Sequence, residues 1–201
     1  MTSSPNSYQR FRWPAQIFFF SGSLQARWRG PLFYLALDTI IGMLPFHYTG
    51  TGHMAAEGFE FFPAREDGVD AVGVRMGPLG RVLNEQLAVL AATLAGQQLD
   101  VLIDHVIFDG EVMEPFLTKL DRETTYLVRV GCDIEELERR ERARGDRVLG
   151  LARFQASRVH SLEPLYDIEV DTTSCGADDL SAELIQFLSG SPQPRLTSTS
   201  S

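Results

Sequence analysis

The sequence predicts an α/β protein: a parallel β-sheet flanked by helices in three layers, with an arginine-containing lid. Two observations predict it. Short, largely apolar runs recur at Ala15–Phe20, Leu32–Leu37, within Leu99–Phe108 and at Tyr126–Val130, and a further strand closes the lid piece at Tyr166–Val170. Such runs are what strands buried on both faces look like. Helical patterns separate most of them, and a parallel pair of strands needs a crossover of that kind.

Each element has its own reason. Residues 1–14 are polar with Ser and Pro, a composition that predicts a flexible tail. AQIFFF at 15–20 reads as a first strand, punctuated by Ser21-Gly22-Ser23. Leu24–Gly30 reads as a short helical segment ended by Gly30-Pro31. LFYLAL at 32–37 is a second strand that runs into Asp38, and Thr39–Leu44 turns helical before Pro45. Phe46–Gly58 is loop. Phe59–Phe62 and Val69–Arg75 form a hairpin about Glu66-Asp67-Gly68, because Asp-Gly favours the tight turn. Leu79–Gln98 is a long helix with an apolar face at Val82, Leu83, Leu87, Leu90, Ala91 and Leu94. Leu99–Phe108 holds a strand, Glu111–Leu120 a helix, and Ala177–Leu188 the final amphipathic helix. Residues 189–201 are rich in Ser, Thr and Pro, which predicts a disordered tail after one domain spanning 15–188.

Composition excludes several classes. The 201 residues are 44% hydrophobic, enough for one domain with a sizeable core. A formal net charge of -9 argues against a general nucleic-acid partner. The apolar stretches are too short for a membrane span, and no signal-peptide pattern stands at the N-terminus. Two cysteines, Cys132 and Cys175, have no metal-ligand spacing and no disulfide framework. The expectation is a cytoplasmic protein without a membrane or nucleic-acid partner.

In parallel α/β sheets, ligands bind beyond the carboxyl ends of the strands. Asp38 sits there, either as a base that orients a hydroxyl or as a helix N-cap. Asp104 ends its apolar run, either to hold magnesium or to pair with arginines. Beside it His105 is a metal ligand, an acid/base or a structural histidine. Ser21, Gly22 and Ser23 are a weak phosphate-binding signal or a plain turn. Phe59, Phe61, Phe62 and Met54 line a pocket for an aromatic molecule or build a minicore under the hairpin.

Residues 126–173 read strand, helix, arginine turn, helix, strand, the wiring of a mobile lid over a phosphate site. Asp133 starts the first helix. Arg139 and Arg140 interleave with glutamates and read as ion pairs on a helix face. Arg144 and Arg147 flank Gly145-Asp146 and read as phosphate ligands, since the guanidinium fork matches phosphate oxygens.

The segments ALDTIIGMLP, EGFEFF, VLIDHVIFDG, VRVGCDIEELERRERARGDRVLGLARFQASRVH and YDIEVDTT resemble, in order and spacing, the chloramphenicol phosphotransferase-like family. The resemblance covers about Ile17 to Leu188. It implies a P-loop kinase fold that moves the γ-phosphate of ATP, with magnesium, to a hydroxyl of a small molecule such as chloramphenicol. It implies Asp38 as general base, Arg144 and Arg147 as lid arginines, and Asp104 at an acidic position after the family's third strand. One part is absent. The family carries G-x-x-x-x-G-K-[ST] after its first strand, and here the chain passes from Ser21-Gly22 straight to Ser23-Leu24-Gln25. The loop, its lysine and the first turns of its helix, about ten residues, are missing. Lys119, the sole lysine, lies on a helix away from that strand end.

Overall fold

The computed structural model describes residues 16–106, 110–144, 148–158, 162–163, 165–190 and 192–196, with the side chains of 16–20, 110 and 144 outside that description. The elements in order are α1 (Gln16–Arg27), β1 (Leu32–Ala36), α2 (Leu37–Met43), β2 (Thr49–Gly50), β3 (Phe59–Glu66) and β4 (Val69–Met76). Then come α3 (Pro78–Ala95), β5 (Asp100–Asp104), α4 (Gly110–Leu117), β6 (Val128–Gly131), α5 (Ile134–Arg144), α6 (Leu151–Ala156), β7 (Ile168–Asp171) and α7 (Ala177–Ser189).

Local chemistry places most of these. The hairpin closes with Glu66 opposite Val69, and Asp67 and Gly68 both take positive φ, at 51° and 80°. Two left-handed residues are what the twist-matched two-residue turn requires. Pro78 opens α3 behind Gly77, where its missing N–H costs nothing. Asp133 caps α5, its Oδ1 accepting from the Glu135 N–H at 2.8 Å and more weakly from Glu136 at 3.4 Å.

Four strands are parallel in two pairs. Leu32–Ala36 lies in register with Asp100–Asp104, and Val128–Gly131 with Ile168–Asp171. β2, β3 and β4 make a separate three-stranded sheet. The main core lies on one face, where α2, α3, α4 and α6 bury Leu37, Leu87, Val112, Phe116 and Phe154 with Phe59 of the hairpin. The other face carries α1 and α7, with Leu24, Leu180 and Leu184 over Val170 and against Leu32, Leu102, Val128 and Val130. This is the predicted arrangement of parallel strands flanked by helices on both sides.

Three expectations need correction. The expected first strand at Ala15–Phe20 is not formed over its described part: Gln16–Phe20 are the opening turns of α1, Ala15 lies outside the described residues, and Ser21-Gly22-Ser23 lie inside that helix rather than at a strand end. A six-residue apolar run satisfies either period. The helix is anchored further on, by Leu24 in the core, by Ser23 Oγ donating to Asp178 at 2.5 Å, and by Trp28 Nε1 donating to Asp100 at 2.7 Å. The predicted disordered tail at 189–201 includes a docked piece. Leu196 is 3% exposed in the main core, Tyr126 donates to the Pro192 carbonyl at 2.8 Å, and the Arg195 N–H donates to Asp167 at 2.6 Å. Composition could not show these long-range partners. Finally, the α6 half of the lid is core: Leu151, Ala152 and Phe154 are buried, and the Gly150 carbonyl accepts from Val72 of β4 at 3.3 Å. Gly150 takes φ +90°, and a Cβ there would stand 3.0 Å from the Ala71 Cα.

Candidate active site

The parallel pairing of β1 with β5 brings Asp104 level with Ala36, just before the Asp38 helix. Tyr34 projects from the middle of β1, and its phenol donates to Asp104 Oδ2 at 2.5 Å. The buried Ser21 of α1 hydrogen-bonds to the same phenol. Asp38 is half-buried in the first turn of α2, and its charge acts on Tyr34 as well. Tyr34 therefore joins Asp104 to Ser21, with Asp38 near enough for its charge to act on the phenol. Gly22 is exposed, a Cβ there would point into open space, and Ser23 turns instead to Asp178.

The electrostatics follow from burial. Desolvation pushes the Asp104 carboxyl up to about 6, the Tyr34 hydrogen bond pulling the other way. Tyr34 is raised well beyond the range of a phenol, first by burial and then by its bond to Asp104, so it stays a donor at every working pH. The N-cap of α2 is Ala36, so Asp38 does not serve as the cap; its carboxylate sits in the first turn, where the helix dipole favours a negative charge. His105 is structural. Its Nε2 lies 2.5 Å from Asn84 Oδ1, its ring stacks at a tilt on Phe116, and burial pulls it down to about 4. The imidazole is neutral and clamps β5 to α3.

The lid residues divide. Glu136 holds Arg139 through two bonds of 2.6 and 2.7 Å and Arg140 through one of 2.6 Å, while Arg140 also donates to the Thr172 carbonyl at 2.7 Å. These two arginines are the helix-face ion pairs the sequence predicts, and they hold Glu136 down at about 2. Arg144 is the last residue of α5 with its side chain outside the description, and Arg147 lies outside the described residues. Lys119 pairs with Glu85 at 3.8 Å, away from the cluster. Phe59 is fully buried and Phe61 and Phe62 pack on the main core, which favours their role under the hairpin. Among the described residues no group of three or more His, Cys, Asp or Glu could hold a metal ion, and no helix is long and apolar enough to cross a membrane.

Sequence reasoning missed two residues. Tyr34 lies inside an apolar run, and only register shows that its hydroxyl reaches Asp104. Glu141 is 7% exposed, and its carboxylate accepts from the Gly150 N–H at 2.8 Å and the Ala152 N–H at 2.9 Å. It sits among arginines in the sequence, which disguised it as another surface charge.

Parallel strands flanked by helices on both faces define an α/β protein. Two Mycobacterium tuberculosis proteins, "Putative O-phosphotransferase MT2714" of strain CDC 1551 / Oshkosh and "Putative O-phosphotransferase Rv2636" of strain ATCC 25618 / H37Rv, are each 29% identical over 168 residues, 81% of this chain and 69% of the relative. The description of chloramphenicol phosphotransferase-like proteins matches residues 20–189, and the chain belongs to that family.

Proposed function

We propose that this chain is an O-phosphotransferase of small hydroxylated molecules, with ATP as donor, whose acceptor half is intact and whose phosphate cradle is not. The supporting observation is the Tyr34–Asp104 hydrogen bond at the carboxyl end of β5, with Asp38 in the first turn of α2 acting electrostatically on the same phenol. Asp38 takes the proton of the acceptor hydroxyl as its oxygen bonds to the γ-phosphorus and ADP leaves. Tyr34 engages one oxygen of Asp104 and fixes that carboxylate. Asp104 fits an outer role toward magnesium, which arrives with the nucleotide, since the described residues alone offer no cage. Arg144, the last residue of α5, and Arg147 stabilise the transferred phosphoryl group. Chloramphenicol is the first acceptor to try, on the strength of the family.

The missing G-x-x-x-x-G-K-[ST] loop sets the rate. A row of backbone N–H groups and a lysine normally cradle the phosphates, and here α1 runs unbroken through Ser21-Gly22-Ser23. That observation favours a second reading, a member of the family without catalysis. Calorimetric ATP titration with magnesium, and γ-phosphate transfer to hydroxylated antibiotics, separate the two. The chain as it stands should bind ATP weakly and transfer slowly or not at all. A variant with a G-x-x-x-x-G-K-S loop and one or two helical turns inserted between Gly22 and Ser23 should do both. An insertion variant that folds, binds ATP and transfers nothing favours the non-catalytic reading. Tight magnesium-dependent ATP binding by the unmodified chain would place the phosphate site elsewhere.

A further inference from the structure

His47 and His53 are six residues apart, and on any regular helix or strand that spacing would keep them apart. A knot of turns brings them together instead. Phe46–Tyr48 make one short helical turn after Pro45, with the Thr49 hydroxyl donating to the Phe46 carbonyl at 3.1 Å. The chain then doubles back. The Gly52 N–H donates to the Thr49 carbonyl at 3.1 Å, and the Met54 N–H donates to the His47 carbonyl at 2.8 Å. Position 52 requires glycine, since a Cβ there would stand 2.5 Å from the His47 carbonyl oxygen and 2.7 Å from its Cα. Both histidines therefore stand on backbone that its own hydrogen bonds hold in place. Their rings lie 5.1 Å apart, centroid to centroid, and within 13° of parallel. Tyr48 touches the His47 ring at 4.6 Å, tilted by 40°. His47 is half-buried and His53 is exposed.

Two imidazoles at this separation suit one chemistry. A zinc-class ion sits about 2.0–2.1 Å from an imidazole nitrogen, which puts each ring centroid about 3.2 Å from the ion and two such centroids about 5 Å apart at the tetrahedral angle. Imidazole takes zinc, copper, nickel or iron, whereas magnesium and calcium want oxygen donors. Stacked rings point their nitrogens side by side rather than at one point, so binding must turn one of them. His53 supplies that turn, because its exposed ring can change rotamer in solvent, while Tyr48 and the surrounding turns keep His47 where it is. The backbone is already ordered, so the ion has little besides that ring to fix.

We propose that His47 and His53 form a two-imidazole site for a zinc-class divalent ion, with water or a ligand's own donor atoms in its remaining positions. Among the described residues no third His, Cys, Asp or Glu joins the pair. Two protein ligands leave two tetrahedral positions open, which suits an ion that engages a further ligand rather than one that braces a fold. The same donor set turns away the magnesium that accompanies a nucleotide. The inference is therefore independent of phosphotransfer and is tested without nucleotide.

Zinc ion alone, titrated into the untagged 22.4 kDa chain and read by NMR at the imidazole nitrogens, tests it directly. The His47 and His53 signals should move together and saturate at one ion per chain, and magnesium should leave both unmoved. His53→Gln changes an exposed ring and leaves the turns intact, and it should weaken zinc binding by about tenfold or more, as should His47→Gln. The double variant should bind no more weakly than either single one, because a chelate loses its advantage with the first ring removed. Zinc shifts confined to one of the two rings, or reaching neither, would overturn the inference. So would a His53→Gln variant that binds zinc as tightly as the parent chain.

Discussion

Asp104 and His105 are neighbours whose protonation works in opposite directions. An unfolded aspartate titrates near 3.9, roughly two units below the folded Asp104 at about 6. The folded protein therefore holds the proton more tightly, and stability from this group is full below about pH 4 and is lost as pH rises through 6. His105 is the reverse: its folded value of about 4 lies below the unfolded one, so its contribution is present above about pH 6.5 and is lost as pH falls to 4. The two offset each other in the same window. Asp104→Asn, which keeps an acceptor for Tyr34, should expose the histidine alone. Urea denaturation across pH 4–7 should then show stability climbing by about 2–3 kcal/mol, against a nearly flat wild type. A flat profile in the variant would rule out the coupling. At Asp38 the expectation is kinetic. Asp38→Asn in the loop-restored protein should cut turnover by about 10²–10⁴ with ATP affinity little changed. An equal loss of ATP binding would make Asp38 structural.

At the scale of elements, the two lid helices are joined by one buried carboxylate. Glu141 reaches from α5 to the N–H groups of Gly150 and Ala152, and Arg153 of α6 returns the contact by donating to Glu138 at 2.6 Å. Further on, Arg158 pairs with Glu66 of the hairpin at 2.8 Å. What the sequence presents as a mobile lid is, in its second half, a helix fastened to the core. Glu141→Ala leaves two backbone donors without their acceptor in a half-buried turn, and should cost about 2–4 kcal/mol of stability in urea. A change below about 0.5 kcal/mol would show that water replaces the carboxylate without penalty.

For the whole molecule, residues 192–196 are part of the fold. Asp167 accepts from Leu127 at 2.7 Å and from Arg195 at 2.6 Å, so one carboxylate ties the start of β6 to the tail. Leu196 then inserts into the main core. Removing its side chain by Leu196→Ala should cost about 2–5 kcal/mol, the range for a buried leucine that leaves a cavity. A melting temperature unchanged by the substitution would return 189–201 to the status of a loose tail.

The sequence by itself determined the layer architecture, because apolar runs and helical periods are local quantities. LFYLAL, VLID and YLVRV read as strands, which they form at Leu32–Ala36, Asp100–Asp104 and Val128–Gly131, and Asp67-Gly68 reads as the tight turn it makes. It also placed Asp38 and Asp104 near strand ends, and it separated Arg139 and Arg140 as ion pairs by their spacing from Glu136. Tertiary structure alone decided the rest, since each remaining case depends on a partner far away in the chain. Tyr34 became part of the site because register sets it against Asp104, 70 residues on. Glu141 became a buried acceptor because α6 folds back over it. AQIFFF satisfies the local rules of strand and helix alike, and the described residues Gln16–Phe20 take the helix that Leu24 and Trp28 anchor further along the chain.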